Sequence, residues 1–435
     1  MKIEKLSYII IAALLTTVFV LVTYLFSPFS WERGEIVKVT KIYYVDNISD
    51  SHRKVIALFN KKYEGHIQVE AINLPFEKFS TNERKELLAR FLRTKSDRID
   101  VFAVDQIWVP RFAKWAVPVD YYLRPSTKKD FLSYAVQSCR FEDTLMAVPF
   151  YIDIALMYYR KDLLKQHPEY SSLQKKLKKS IEWNEFIKLC QSSTFNNHPP
   201  FIFQGADYEG LICIFTELLD GINSSIVSGN TIKLNTKEVA QTIQFMIDLI
   251  HKYKISPEAV LRFKETQSYN YFNENNGLFL RGWPGMQKDF KDNKKLSNQI
   301  EVVPVPHFAG SKPASVFGGW NLMVSRYSSR LSESFMFVNF LLTDEVQKLM
   351  YEEGTYLPIN SSIYNDTSYT KKHPELLFYK SLLERGIHRP FLTNYTTVSD
   401  IFSYYINLAL RKEMSIKEAL RNADESINSQ QILLK

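Results

Sequence analysis

An α/β protein of two lobes is the architecture this sequence predicts, on three observations. Strand-like and helix-like stretches alternate from residue 37 to residue 104, an order that implies a mostly parallel sheet. About 400 residues follow an apolar leader, more than one average domain holds. The same alternation resumes in a sequence-distant second half, with no internal repeat and no low-complexity linker between the two. Interleaved lobes fit that pattern better than domains strung end to end.

The leader comes first. No charge interrupts the chain from Leu6 to Trp31, and about 20 apolar residues suffice to span a bilayer. Lys2 and Lys5 precede the run, and Glu32, Arg33, Glu35 and Lys38 follow it. The positive bias therefore lies on the amino-terminal side, which keeps that end cytoplasmic and places the body outside. Residues 24–30 offer no small-x-small cleavage site, and no cysteine follows for lipid attachment. Residues 1–35 are accordingly expected to be a cytoplasmic tip and an uncleaved transmembrane signal anchor.

Residues 37–45 are rich in β-branched and aromatic side chains and read as a strand. A helix follows over 51–63, with Val55, Leu58 and Phe59 on one face and Gly65 just past its end. Residues 67–71 form the next strand, 82–95 an amphipathic helix through Leu87, Leu88, Phe91 and Leu92, and 99–104 a buried strand. Open α/β sheets bind ligands beyond the carboxyl ends of their strands. Asp105 stands at such an end. Helical patterns recur over 182–191, 208–219 and 236–253, strand-like pieces over 277–280 and 300–305, and helices again over 331–342, 344–352 and 399–410.

Composition narrows the function. The charge of +8 arises from 55 basic and 47 acidic residues spread along the chain, whereas a nucleic-acid footprint is clustered. The densest basic run, Lys175-Lys176-Leu177-Lys178-Lys179, lies in a polar helical stretch and reads as a solvated face. Three cysteines are too few and too odd in number for a disulfide scaffold; Cys213, in the run Leu211–Phe215, reads as a small buried hydrophobe. The 8 histidines are scattered, and no metal-binding spacing, P-loop or nucleophile elbow is present. The sequence thus points to neither an enzyme, a cofactor nor a metal site.

Four clusters of aromatic and polar residues sit at expected strand ends and turns instead: residues 104–108 around Asp105 and Trp108, 149–153 around Tyr151 and Asp153, 281–285 around Trp283, and 317–321 around Trp320. A pyranose has apolar C–H faces and a rim of hydroxyls, so its site calls for aromatic platforms with ionised partners around the edge. Glycines beside Trp283 and Trp320 permit sharp turns and close approach.

In these segments the chain resembles the family 1 extracellular solute-binding proteins, the maltose- and trehalose-binding group of the periplasmic-binding-protein fold. The resemblance runs from about Lys41 to the last helices. It is carried by residues 100–108, by 148–153 leading into 158–164, and by 204–211, Gly282-Trp283-Pro284, Gly318-Gly319-Trp320 and Arg389-Pro390 with Tyr395 and Ser399. It implies a two-lobed type II fold with crossing hinge segments near 151–157, 302–306 and 356–360. The first lobe would comprise 36–151 plus 306–357, the second 152–305 plus 358–435. It further implies capture of a di- or oligosaccharide between the lobes and delivery to the permease of an ABC importer; the alternative is a membrane-tethered carbohydrate-sensing subunit. Carried over residue by residue, Arg84, Asp105, Asp153 and Arg389 would contact sugar hydroxyls. Tyr151, Trp283 and Trp320 would be aromatic walls, and Gly318 and Gly319 would offer backbone groups. The sequence departs from the family at Gly285, where close relatives often carry an aromatic residue, and at residues 46–50, which lack the usual glycine- and glutamate-containing loop.

Overall fold

The computed structural model describes residues 2–26, 39–75, 78–79, 81–228, 231–286 and 294–429. Its organising elements are two sheets joined by crossing segments. The first sheet has six strands. Helices α2 (Asp50–Lys62) and α3 (Thr81–Arg93) connect β1 (Thr40–Asp46), β2 (Ile67–Asn73) and β3 (Val101–Asp105), and β1 runs parallel to both of its neighbours. These follow the expected alternation to within a few residues at each end; the start of the first expected strand, 37–38, lies outside the described residues. Ser49 begins α2 as its cap, accepting from the His52 amide, while Lys61 and Lys62 meet the negative end of the helix dipole.

From this sheet β4 (Val148–Ile154) leads through Ala155 alone into β5 (Leu156–Arg160) of a four-stranded sheet. Every residue of β5 is buried, as a central strand covered on both faces should be. Its neighbours are β7 (Phe279–Gly282) and β8 (Ile300–Val303), both antiparallel to it, and β6 (Phe201–Ile202) pairs with β7. Helices α4 (Glu209–Asp220) and α5 (Lys237–His251) belong to this half. The chain returns after β8, and β9 (Ser315–Val324) lies antiparallel to β3 on one side and β4 on the other.

One expectation needs correction. The third crossing was placed near 356–360, with everything beyond 357 in the second lobe. Instead, after α6 (Leu331–Leu341), α7 (Asp344–Gly354) and α8 (Glu375–Leu383), the strand β10 (Gly386–Ile387) pairs in parallel with β9. The chain therefore stays with the first sheet until Ile387. It then crosses through residues 388–394 to α9 (Tyr395–Leu410) and α10 (Ile416–Asn428), which pack with α4 and α5. The cause is steric. A Cβ at Gly386 would come within 2.2 Å of the Phe317 ring, so this glycine lets β10 lie against β9, a fit that helical periodicity does not encode.

The leader forms helix α1 (Lys2–Phe26), with Ile10, Leu14, Val18 and Leu21 exposed. Among the described residues no helix is long and apolar enough to cross a membrane, so the expected anchor is not established by the fold. Its charged flank at 32–38 lies outside the described residues. The basic run ends the helix Tyr170–Lys179, where Leu173 and Leu177 are buried and the lysines are exposed, as a solvated face requires. Cys139, Cys190 and Cys213 are all buried and unpaired.

Candidate functional site

Strand register assembles most of the candidate residues. β9 sets Trp320 opposite Asp105 on β3 and opposite Tyr151 on β4, and it sets Gly318 opposite Asp153 and Gly319 opposite Ile152. Two carboxylates, a tyrosine and the Gly-Gly-Trp segment, which lies within β9 and not at the expected turn, thereby come together in the first sheet.

Arg84 reaches this end from α3. Its guanidinium lies 4.1 Å over the Trp320 ring, and its Nη2 donates to Asp46 Oδ1 at 3.2 Å. Asp46 ends β1 as Asp105 ends β3, and it also accepts from the Tyr44 hydroxyl at 2.5 Å and the Asn47 amide at 2.6 Å. Burial alone would raise the Asp46 carboxyl; His52, Arg84 and Tyr44 outweigh it and hold the group below its ordinary range. Trp320 is 7% exposed, with Arg84 over a face and Trp108 edge-on at 5.3 Å. Tyr151 is equally buried, its ring 4.6 Å from that of Tyr356.

Arg389 comes from the third crossing. Its Nη2 donates to Asp105 Oδ1 at 2.9 Å and its Nη1 to Glu209 Oε1 at 2.7 Å. Asp105 belongs to the first sheet and Glu209 opens α4 of the second half, so one guanidinium bridges the two. Glu209 also accepts from the Tyr395 hydroxyl at 2.7 Å and from Ser399 Oγ. Burial opposes the charge on Arg389, but Asp105 and Glu209 more than offset it and keep the group firmly cationic. Asp105 is a turn residue as well, accepting from the Ile107 amide at 3.2 Å.

Trp283 follows β7 and enters from the second sheet. Its ring rests against Gly318, where an added Cβ would lie 2.9 Å from Cζ3 and 3.1 Å from the Asp153 Cβ. The structure thus gives Gly318 a task besides offering backbone groups, which is to admit an indole. Gly319 has φ +120° and its backbone packs against Tyr151 and Ile152. All the candidate residues therefore converge on one region between the sheets. Asp46 and Glu209 were not among them. The signal for Asp46 was available, since it ends the first expected strand just as Asp105 ends the third.

Burial and the negative charge of Asp105 push the Asp153 carboxyl up to about 7. Its unfolded value is the ordinary 3.8, so between these values the native state holds a proton that the unfolded chain has lost. The favourable contribution is complete below about pH 4 and is lost as pH rises through about 7. Asp153→Asn is expected to flatten the Tm–pH profile over this window relative to the parent. An unchanged pH slope in the variant would show that Asp153 titrates normally.

The fold and the interlobe cluster define a two-lobed binding protein. The model of the bacterial extracellular solute-binding protein family matches residues 46–348, and the chain belongs to that family. A probable ABC transporter-binding protein of Deinococcus radiodurans is 27% identical over 371 residues, which are 82% of this chain and 85% of that protein. Among solved structures, the maltose-bound T. maritima MalE3 is 26% identical, with a TM-score of 0.79 over 90% of this chain and 100% of that one. The GacH receptor of Streptomyces glaucescens, at 21% identity, shares the fold with a TM-score of 0.76 over 90% and 98% of the two chains. The architecture is thus the expected type II periplasmic-binding-protein fold of the maltose-binding kind, and the chain is an extracellular solute-binding protein.

Proposed function

We propose that this protein captures a carbohydrate, a di- or oligosaccharide, between its two sheets and delivers it to the permease of an ABC importer. The observation that carries the reading is the meeting of Trp283 from one sheet with Trp320, Asp105 and Asp153 from the other, beside Arg84 and Arg389. Indoles suit the C–H faces of a pyranose, and ionised groups suit its hydroxyls. Similarity to a maltose-bound protein supports the same ligand class. In this reading the first lobe is 36–154 plus 306–387 and the second 155–305 plus 388–435, and the lobes close about the crossings as binding proteins of this architecture do. Binding leaves the sugar unchanged. A thermal-shift screen of the full chain against mono- and oligosaccharides tests this, because a ligand of the native state raises Tm by mass action. No stabilisation by any sugar, or hydrolysis of the one that binds, would defeat it.

Trp320→Ala is expected to weaken sugar binding about thirtyfold, the equivalent of about 2 kcal/mol lost with a desolvated aromatic platform. Trp115→Phe, a buried ring packed on Phe112 at 5.4 Å and away from the cluster, serves as control. Calorimetry on both folded variants separates the roles; near-parental affinity in Trp320→Ala would make the Gly-Gly-Trp segment of β9 structural only.

The proposal extends to the leader, which tethers the body to the membrane. Its support is the uncharged, largely apolar run from Leu6 to Trp31 and the basic amino-terminal flank of Lys2 and Lys5. Protease added to intact spheroplasts should remove the body, and the amino terminus of the mature protein should remain at residue 1 or 2. A new amino terminus between residues 25 and 36 would replace the anchor with a cleaved signal.

A further inference from the structure

Behind Trp283 lies a buried ion pair, Arg281 with Glu217. Arg281 is two residues upstream on β7, and residues two apart along a strand share a face. Its guanidinium sits 4.3 Å from the centroid of the Trp283 ring. Arg281 is 2% exposed, and its Nη2 donates to Glu217 Oε1 of α4 at 2.6 Å. Gln204, itself fully buried, steadies the strand there, donating from Nε2 to the Arg281 carbonyl at 2.9 Å and to Ser268 Oγ at 2.8 Å. Beyond the pair is a cavity of about 30 Å³ walled by Met157, Trp183, Phe203 and Leu218.

Such a location is a poor one for charge. Desolvating a carboxylate and a guanidinium among apolar side chains costs about as much as their attraction returns, and a well-packed apolar pair of the same volume is often as stable or more so. A stability role therefore does not account for the pair, whereas its geometry does. The planar guanidinium covers the indole from one direction, Gly318 leaves room for the ring edge from another, and the Tyr158 hydroxyl holds the Trp283 carbonyl at 2.7 Å. Only arginine supplies both a flat stacking face and a fixed charge. The first sheet repeats the arrangement: Asp46 holds Arg84, and Arg84 covers Trp320.

We infer that Arg281, held by Glu217, is a positioning residue that fixes the Trp283 ring in its ligand-ready orientation before sugar arrives. The inference rests on the proposed function and deepens it. Pre-ordering one side chain that binding would otherwise immobilise is worth about threefold to tenfold in affinity. Specificity follows, because a fixed ring accepts a pyranose at one tilt and height, while a mobile one adapts to several.

The test uses the full chain, with maltose, maltotriose and trehalose as probes and the tightest of them for titration. Arg281→Lys keeps the charge opposite Glu217 and removes the flat face. It is expected to retain a near-parental Tm and to lose about threefold to tenfold in affinity, whereas a merely structural pair would be rescued by lysine. The near-ultraviolet circular dichroism assigned to Trp283, taken as the difference between parent and Trp283→Ala without ligand, should collapse in Arg281→Lys. In the Trp283→Ala background Arg281→Lys should cost no further affinity. Should Arg281→Lys fail to fold, the neutral pair Glu217→Gln with Arg281→Met is read in the same way. Parental affinity in Trp283→Ala would overturn the sugar site itself. Loss in Trp283→Ala with parental affinity and an intact Trp283 signal in Arg281→Lys would overturn only the positioning role.

Discussion

Arg389→Met is expected to destabilise the protein by about 3–5 kcal/mol, the usual consequence of removing one member of a buried charge cluster. Two carboxylates, Asp105 and Glu209, are left facing each other without the guanidinium that now joins them at 2.9 and 2.7 Å. Glu209 keeps the hydroxyls of Tyr395 and Ser399, and Asp105 keeps the Ile107 amide. Those hydrogen bonds solvate the negative charges without cancelling them. Urea denaturation at neutral pH measures the loss, and Arg389→Lys should recover only part of it, because one ammonium does not reproduce a fork that reaches two partners. A change of less than about 1 kcal/mol would place the cluster among weakly coupled, well-hydrated ion pairs.

Gly319→Ala should cost about 2–4 kcal/mol, combining strain at a positive φ with overpacking. The added Cβ would lie 2.5 Å from the Tyr151 carbonyl oxygen and 2.8 Å from the Ile152 Cα. Both are backbone atoms of the adjacent strand, so no rotamer change relieves the clash. Its neighbour gives the contrast. At Gly318 the obstacles are the Trp283 ring and the Asp153 Cβ, so Gly318→Ala is expected to displace a platform and lower sugar affinity while sparing most of the stability. Thermal melts alongside calorimetry separate the two, and equal losses of stability would refute the distinction.

How much of this was legible in the sequence depends on the range of the interaction. The alternation of strands and helices through Asp105 could be read because amphipathic periodicity is local, and α2 even announces its own start at Ser49. Motif residues such as Asp153, Trp283 and Gly318 could be placed through family resemblance, and they do converge. The third crossing could not be read, since whether residues 358–387 stay with the first sheet is decided by a short parallel pairing of β10 with β9, admitted by one glycine against one phenylalanine. The partners Glu209 and Glu217 were hidden for a similar reason, whereas Asp46 could have been found as a strand-end carboxylate. Each of the two glutamates is an ordinary helix carboxylate until a distant arginine, Arg389 or Arg281, reaches it through the fold.

The placement of β10 has a mechanical consequence. The crossings leave the first sheet from β4, β9 and β10, and β9 pairs with both of the others. In the proposed closure the connections would act as a single joint and not as three separated straps, and the line on which the second body turns would pass close to these strand ends. Asp153, Gly318 and Arg389 lie on or next to that line, so a rotation would scarcely displace them. Trp283 and Glu209, carried by the other body, sit a short radius away and would sweep a small arc. Force applied by a ligand at such a place has little leverage. In that closure a small change near the axis would become a large change at the rims, and a fraction of an ångström of fit around a sugar would become a difference of outline.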